Sequence, residues 1–290
     1  MIWYELTPFD TLFFRGSIPL EAGLPVSDIL FPPPPSVIAG AIWTAGKQDF
    51  SAPPNVKVGA ILLKQGEQYY AQAPYSWYAS SRKEKEKNAL IPITRAKEFN
   101  DANAICSVSA PISWIEDKDI KSIGGQWIKI DLFSKSGENS YKKEAFFDEE
   151  DRIGIGIDSK RGIVEEGKLF MARHIRLRNG VTIAIAIDKE YGLGEKGTLR
   201  LGGEGRSCGY QKIKTPPSLP SGGDSKYFVS LAPILCDNEA LLSKVFAAKT
   251  FVVAGWDMRK GKGHKDSQTW FCAGSVFTEK IGDQLIALAQ

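Results

Sequence analysis

The sequence predicts an α+β fold in which short antiparallel strands outnumber helices. Two apolar runs, residues 56–63 and 68–73, are joined across residues 65–67 (QGE) and therefore indicate a pair of adjacent strands. Further along the chain the pattern is strand, helix, strand, at residues 226–234, 239–248 and 250–255. Hairpin-connected strands combined with separate helices are typical of the α+β class.

The first strand is expected at residues 2–6 (IWYEL), a run rich in the β-branched and aromatic residues that favour strands. It leads into residues 9–16 (FDTLFFRG), an apolar stretch that ends on Arg15 and a glycine.

A buried helix is expected next. The four prolines at residues 32–35 fit neither a strand nor a helix interior, which places the helix at residues 37–45 with Ser36 as its N-cap and Gly46 as its stop. Because this helix is apolar on nearly every side, we expect it to pack against a sheet. Its N-terminal amides, together with Ser36, are candidates for binding an anion.

Residues 152–157 (RIGIGI) alternate isoleucine with glycine, starting from Arg152. The isoleucines share one strand face and the glycines leave the other face bare. Residues 158–162 form a turn that carries Lys160 and Arg161, and the chain then returns. The pattern predicts a protruding β-hairpin with a basic tip, and an ordinary surface hairpin explains it equally well.

A second hairpin is predicted at residues 170–187. The Asn-Gly pair at 179–180 suits a type I′ turn, which would place His174 and Arg176 on the same face as the β-branched residues that follow. A stripe of arginine beside β-branched residues suits a sheet that faces RNA. A covered edge strand explains the same stripe.

The linker at residues 215–223 (TPPSLPSGG) is rich in proline and glycine and predicts a domain boundary near residue 216. We therefore expect a larger domain at 1–215 and a smaller one at 216–290. In the smaller domain, a basic, glycine-interrupted loop at 259–265 precedes a final strand that starts at Thr269.

Composition excludes several classes of protein. The formal net charge is +3, too small to indicate a nucleic-acid partner by itself, so any basic surface must be local. No apolar run approaches the ~20 residues of a membrane span, and the N-terminus lacks the basic start of a signal peptide, so we expect a cytoplasmic protein without a membrane partner. Four scattered cysteines and two histidines have no ligand spacing, which predicts neither a metal site nor a cofactor. The charged intervals at residues 82–87 and 134–151 are expected to be solvated, the second as a mobile loop.

The segment that bears most directly on function is residues 201–207 (LGGEGRS). Its glycines leave a backbone that another backbone can approach closely, and Arg200 and Arg206 bracket it with guanidinium groups suited to phosphate. A tight strand connection that requires positive φ explains the glycines equally well. Neither a dinucleotide-binding fingerprint nor a P-loop occurs in the chain.

Three segments occur together: PFDTLFFR at 8–15, FPPPPSVIAGA at 31–41 and LGGEGR at 201–206. RIGIGID at 152–158 and AGSV at 273–276 accompany them. In this order they resemble the RAMP-superfamily subunits of type III-B CRISPR (Cmr) effector complexes, specifically the third-subunit family, which holds the 5′ end of the guide RNA. The resemblance covers essentially the whole chain.

This resemblance implies two ferredoxin-like (RRM-related) domains with long insertions and a protruding β-hairpin. It implies three partners: the 5′ tag of a CRISPR guide RNA, the large polymerase-like subunit, expected near residues 32–35, and neighbouring RAMP backbone subunits. It also implies an RNA-binding subunit without catalytic residues. The residues expected to contact RNA are Arg15, Ser36, Arg152, Lys160, Arg161, His174, Arg176, Gly202, Gly203, Glu204, Gly205, Arg206 and Ser207.

In physical terms, the sugar-phosphate backbone is expected to dock on the amides around Gly202, Gly203 and Gly205, where a Cβ would hold it out of reach. The hairpin tip is expected to clamp a nucleotide or pry it from its stack. The alternative is a metal-free endoribonuclease that processes guide precursors, with His174 or His264 as general base. A protein scaffold without RNA contact is a third possibility.

Overall fold

The computed structural model describes residues 1–16, 29–47, 54–80, 91–92, 120–134, 140–158, 160–220, 225–257 and 263–288. The charged run at 82–87 and Cys106 lie outside the described residues. No helix in these ranges is long and apolar enough to cross a membrane.

Strands dominate the described residues. The helices are α1 (Pro35–Ala45) and α2 (Glu239–Leu242), with two short 3-10 helices at Ile130–Ser134 and Lys143–Ala145. The strands are β1 (Ile2–Pro8), β2 (Val58–Gln65), β3 (Gln68–Gln72), β4 (Trp77–Ser80), β5 (Ile91–Pro92), β6 (Ile120–Ser122), β7 (Trp127–Lys129), β8 (Phe147–Ile157), β9 (Val164–Leu177), β10 (Val181–Ile187), β11 (Lys196–Arg200), β12 (Ser207–Lys212), β13 (Phe228–Ser230), β14 (Ile234–Leu235), β15 (Val245–Ala247), β16 (Thr250–Asp257), β17 (Gly263–Phe271), β18 (Val276–Phe277) and β19 (Leu285–Ala287).

The central element is a seven-stranded sheet in the order β11-β12-β1-β10-β2-β3-β7. Every neighbouring pair is antiparallel, and the predicted β2–β3 pair is confirmed. Ile183 of β10 lies opposite Leu6 of β1 on one side and opposite Leu63 of β2 on the other. The middle of the sheet is therefore formed by strands that are neighbours in space but not in the sequence.

Both faces of this sheet are covered. Because side chains alternate along a strand, Ile183 and Ile185 pack on one side in a core that includes Ile38 and Ile42 of α1. Ala184 and the other alternate residues pack on the opposite side, in a core shared with C-terminal side chains. The residues on either side of the predicted boundary near 216 thus share one hydrophobic core.

Helix α1 is buried against the sheet as predicted, but its N-cap differs from the prediction. The helix begins at Pro35 and its N-cap is Pro34, so Ser36 lies within the first turn with an exposed side chain and no capping hydrogen bond. Proline is well suited to the first helical position because its fixed φ matches the helix and its missing N–H needs no partner there. The residues at 32–35 are themselves buried and do not form the exposed apolar surface that was expected there.

The predicted hairpin at 170–187 is wrong. Gly180 has φ +78° and the Val181 amide donates to the Arg178 carbonyl at 3.0 Å, so a turn forms at Asn-Gly. It is not the predicted type I′ turn, because Asn179 lacks the positive φ that this type requires. However, β9 then pairs with β8 in a separate two-stranded sheet, whereas β10 enters the central sheet between β1 and β2. The strand β10 is buried along most of its length, because it lies in the middle of a sheet whose two faces are both covered.

The β8–β9 pair begins earlier than the sequence indicated. Its first strand starts at Phe147, so residues 147–151 are not part of a mobile loop; residues 135–139 lie outside the described residues. The glycine face is not bare, because the ring of Phe170 covers Gly154, where a Cβ would lie 2.2 Å from it. The opposite face carries the isoleucines and is exposed.

The C-terminal residues form less helix than expected. The predicted helix at 239–248 ends after Leu242, because Val245 and its neighbours instead pair with β18. The predicted strand at 226–234 is divided into β13 and β14, which belong to different sheets. Of the predicted basic loop, residues 259–262 lie outside the described residues, and Gly263 already belongs to β17.

Candidate functional site

The glycine segment forms the tight connection between β11 and β12, here called the glycine loop (residues 201–206). The Leu201 amide donates to the Arg206 carbonyl at 2.9 Å, and the Arg206 amide donates to the Gly203 carbonyl at 3.2 Å. Gly202, Glu204 and Gly205 have positive φ. Positive φ angles favour glycine. The expected tight strand connection therefore explains the backbone conformation of this loop.

Two of the glycines are needed for packing within the chain. A Cβ at Gly202 would lie 2.3 Å from the Phe13 carbonyl oxygen, and one at Gly203 would lie 2.8 Å from the Phe13 ring. The Gly203 amide also donates to the Phe13 carbonyl at 2.8 Å. The predicted phosphate contact by this amide is therefore wrong, because the amide is already bonded to the protein's own backbone.

The outer half of the glycine loop remains open. A Cβ at Gly205 would meet no atom within 4 Å. Among the described residues, the amides of Glu204 and Gly205 donate to no backbone carbonyl. Both residues are exposed, so these two amides are candidates for binding an external anion.

Arg15, Ser36 and the glycine loop line one groove of about 710 Å³. Phe13 and Phe14 also line it. The β16–β17 hairpin contributes Val253, Ala254, Asp266 and Gln268, and Arg200 at the end of β11 also lines the groove. The groove thus brings together three sequence-predicted positions that are far apart in the chain.

The N-terminus of α1 offers the groove fewer amides than expected. Pro34 and Pro35 have no N–H group, and the amides of Val37 and Ile38 both donate to the Pro34 carbonyl. Only the Ser36 amide in this first turn remains for a ligand among the described contacts. The start of α1 therefore offers an anion only one backbone donor, the Ser36 amide.

A second group of predicted residues converges beside the glycine loop, in what we call the acid–arginine cluster. It consists of Asp10, Glu150, Arg152, Arg176, Glu204 and Arg206. Asp10 lies 2.7 Å from Arg206, 3.2 Å from Arg176 and 3.4 Å from Arg152. Sequence reasoning missed Asp10 and Glu150, and only the position of Asp10 within the FDTLFFR segment marked it as unusual.

Electrostatics keep the Asp10 and Glu150 carboxylates ionised. A hydrogen bond from the Thr11 amide, assisted by the three arginines, lowers the pKa of Asp10. Hydrogen bonds from Arg176 and Arg152 lower the pKa of Glu150, and the Glu150 carboxylate raises the pKa of Arg176. The three guanidinium groups are therefore paired within the protein.

His174 is fully buried beneath this cluster. Its Nδ1 lies 3.0 Å from the Thr11 hydroxyl and its ring stacks on Phe13. Nε2 lies 3.1 Å from a Glu204 carboxylate oxygen without hydrogen-bond geometry, and it has no other partner among the described residues. Burial lowers the pKa of His174, against the opposing effect of Glu204. The lowered pKa favours the neutral imidazole, and its complete burial leaves no exposed ring edge for a ligand in this structure.

The hairpin tip is a separate location. Lys160 and Arg161 are exposed, and the Asp158 carboxylate accepts hydrogen bonds from both of their amides at 2.8 and 3.1 Å. From Arg152 to Asp158 the extended strand spans about 20 Å at ~3.3 Å per residue. The predicted site residues therefore fall into three places: the groove, the cluster and the tip.

One aromatic residue was missed by sequence reasoning. Phe9 is 66% exposed, and it is the only exposed aromatic side chain in the ranges whose burial the structure describes. Its ring lies 3.6 Å from the position of a Cβ at Gly209, and its amide donates to the Ser207 carbonyl. An exposed aromatic ring beside the glycine loop is suited to stacking with a planar ligand.

No group of three or more histidine, cysteine or carboxylate side chains within the described ranges is arranged to hold a metal ion. Three cysteines, Cys208, Cys236 and Cys272, are free thiols. Burial raises the pKa of Cys208 to about 12.

Comparison with known proteins identifies the family. The family model for CRISPR-associated protein (Cas_Cmr3) matches residues 4–227. A chain of the Type III-B Cmr-beta complex bound to cognate target RNA shares the fold with a TM-score of 0.61 and 19% identity, covering 96% of this chain and 87% of that one. A chain of the same kind of complex bound to target RNA and AMPPnP gives a TM-score of 0.59 and 19% identity, covering 95% and 85%. No curated protein sequence matches the chain.

The family match extends over the first strand, the buried helix, the β8–β9 hairpin and the glycine loop. It therefore includes the cluster and one side of the groove, whereas the side formed by the β16–β17 hairpin lies outside the matched residues. It confirms the resemblance seen in the sequence motifs. The chain belongs to the Cas_Cmr3 family of CRISPR-associated proteins.

Proposed function

We propose that this chain is a non-catalytic subunit of a type III-B (Cmr) CRISPR effector complex and binds the 5′ tag of the guide RNA. The observation that carries the proposal is the groove, where Arg15, Ser36 and the glycine loop meet. Family membership and a fold shared with chains of RNA-bound Type III-B complexes support it.

The topology of the larger part supports a ferredoxin-like unit. The strand order β12-β1-β10-β2 within the central sheet corresponds to the order four-one-three-two of a β-α-β-β-α-β unit, and α1 lies between its first two strands. Among the described residues no helix occurs between β10 and β12, where β11 stands instead. The second ferredoxin-like domain, at 216–290, stays a prediction, since its described helix has only four residues.

Burial of both sheet faces determines how such a unit can bind RNA. RRM-type domains stack bases on an open sheet face. Here α1 covers one face and the C-terminal strands cover the other, so loops and the groove must provide the RNA contacts. Burial of both faces therefore favours the glycine loop and the groove, and not the sheet surface, as the location of the RNA contacts.

The groove and its margin offer each type of contact that single-stranded RNA requires. Arg15 and Arg200 provide exposed cations in the groove. The Glu204 and Gly205 amides do not line the groove; they follow its Gly202 and Gly203 in the glycine loop and provide donors for a phosphate oxygen at its margin. Phe9 provides a stacking surface beside the loop. We propose that the 5′ tag follows the groove with one base on Phe9.

The hairpin is proposed to act at a different position on the RNA. Lys160 and Arg161 at the tip would clamp or separate a nucleotide. Its exposed aliphatic face would pack on a neighbouring RAMP subunit or on the large polymerase-like subunit, because a contiguous apolar face of this kind is typical of interfaces. That face consists of Ile153, Ile155, Ile157, Val164 and Leu169, each 47–67% exposed.

Salt-dependent binding of a short RNA that carries the tag tests the groove. Removing one phosphate contact should reduce the slope of log affinity against log salt by about 0.7 for single-stranded RNA. We expect Arg15→Gln and Arg200→Gln each to lower the affinity and reduce this slope. Lys214→Gln, at an exposed lysine that does not line the groove, is the matched control. Equal slopes for the parent protein and all three variants would refute the groove as the tag site.

A further inference from the structure

A single carboxylate bridges two separate functional segments. Asp10 lies in the loop after β1, Arg176 near the end of β9 and Arg206 in the glycine loop. The Asp10 Oδ1 atom accepts from Arg176 at 3.2 Å, and its Oδ2 atom accepts from Arg206 at 2.7 Å. Asp10 therefore connects the base of the β8–β9 hairpin to the glycine loop.

The acid–arginine cluster balances its own charge. Its three arginines face three carboxylates, and Glu150 accepts from both Arg152 and Arg176 at 2.9 and 2.7 Å. With a formal sum of zero, the cluster has no excess positive charge to attract a phosphate. A phosphate that approached Arg206 or Arg176 would also meet the negative carboxylate of Asp10.

The hairpin depends on this region for its orientation. Its backbone joins the N-terminal loop through Leu12 and Ile175, whose amides each donate to the other's carbonyl at 2.8 Å. Beneath this pair, His174 is held between Thr11, Phe13 and Glu204. Since the tip lies about 20 Å beyond Arg152 at ~3.3 Å per residue, a small rotation at the base displaces the tip by several times as much as the base.

We propose that Asp10 is a positioning residue: it fastens the base of the hairpin to the glycine loop and thereby sets the position of the Lys160–Arg161 tip relative to the groove. Arg152, Arg176 and Arg206 are then internal counter-ions of this fastening and not phosphate contacts. The RNA-binding part of this inference rests on the proposed function, whereas the fastening itself does not.

Hydrogen exchange of the RNA-free protein tests the fastening. Asp10→Asn keeps the shape of the side chain and removes its charge. We expect exchange at 148–152, 173–178 and 202–206 to rise together by about two- to fivefold, the size that partly exposed ion pairs support, while 60–64 in the central sheet stays unchanged. Asp148→Asn, which breaks the 2.9 Å pair with Arg178 on the same hairpin, is the matched control and should leave 202–206 unchanged. Unchanged exchange of the glycine loop in Asp10→Asn would overturn the proposal.

Salt-dependent RNA binding tests the role of the arginines. Arg176→Gln should lower the affinity for 5′-tag RNA by about two- to fivefold without changing the salt slope, whereas Lys160→Gln should reduce the slope by about 0.7. If Arg176→Gln reduced the salt slope, Arg176 would contact a phosphate directly, and its assignment as an internal counter-ion would be overturned. A higher affinity of Asp10→Asn would also overturn it, because Asp10 would then be blocking an anion site. If the unmodified protein bound no tag RNA, the proposed function would fail while the exchange experiment would still decide the fastening.

Discussion

The glycine loop provides a matched pair of substitutions, Gly202→Ala and Gly205→Ala. Both residues have positive φ, +85° and +65°, so each alanine incurs the cost of a left-handed conformation, about 1 kcal/mol. The two positions differ in what surrounds them. The Cβ at 202 would lie 2.3 Å from the Phe13 carbonyl oxygen, whereas the Cβ at 205 would meet open space.

The contact at Gly202 adds a second cost. Relieving an overlap of this kind typically costs about 1–3 kcal/mol. The Phe13 carbonyl would also move away from the Gly203 amide, which weakens a hydrogen bond worth about 1 kcal/mol. We therefore expect Gly202→Ala to lower the free energy of unfolding by about 3–5 kcal/mol and Gly205→Ala by about 1 kcal/mol.

Urea unfolding followed by tryptophan fluorescence measures both effects. With a slope of about 2–3 kcal/mol per molar urea, the two midpoints should differ by about 1 M. Equal midpoints for the two variants would refute the conclusion that Gly202 serves packing against Phe13 while Gly205 remains free for a ligand.

Three further predictions concern Phe9, His174 and the absence of cleavage. Phe9→Ala should weaken binding of the tag RNA by about 1–3 kcal/mol if one base stacks on the ring, while Phe9→Trp should bind as the parent does; equal affinity of all three proteins would exclude stacking. Because burial lowers the pKa of His174 in the folded state, stability should be complete above about pH 6.5 and fall below it, as the unfolded chain binds the proton first. If the urea midpoint of His174→Asn fell below pH 6.5 as steeply as that of the parent protein, this prediction would be contradicted. Incubation with guide-repeat RNA should give no defined cleavage; cleavage that a His174/His264 double alanine variant loses would show an endoribonuclease.

Local sequence patterns predicted the elements whose partners lie nearby in the chain. The β2–β3 pair, the buried helix and the turn at residues 158–162 all follow from alternation, apolar periodicity and turn residues within a few positions. The Asn-Gly turn was also correct as a turn. The hairpin expected around it was wrong because turn chemistry does not determine which strands pair, and β10 is buried between β1 and β2.

The candidate site was only partly predictable for the same reason. The glycines at 202 and 203 suggested a close backbone approach, but the approaching group is Phe13, almost 190 positions away in the chain. The sequence led us to expect RNA contacts from Arg152, Arg176 and Arg206. Their pairing with Asp10 depends on a fold that no local pattern contains. Likewise, the sequence does not distinguish Phe9 from the other aromatic residues. Its exposure is known only from the fold, which buries the others wholly or in part wherever the structure describes their burial.

Photocrosslinking tests the central claim most directly. A guide RNA with a photoreactive base in its 5′ tag, assembled into the effector complex with this chain, would be crosslinked and the attachment sites mapped by mass spectrometry. We expect the tag to crosslink to Phe9, to Arg15 and to residues 204–207. Crosslinks from the tag confined to other subunits, or to parts of this chain away from the groove, would contradict it.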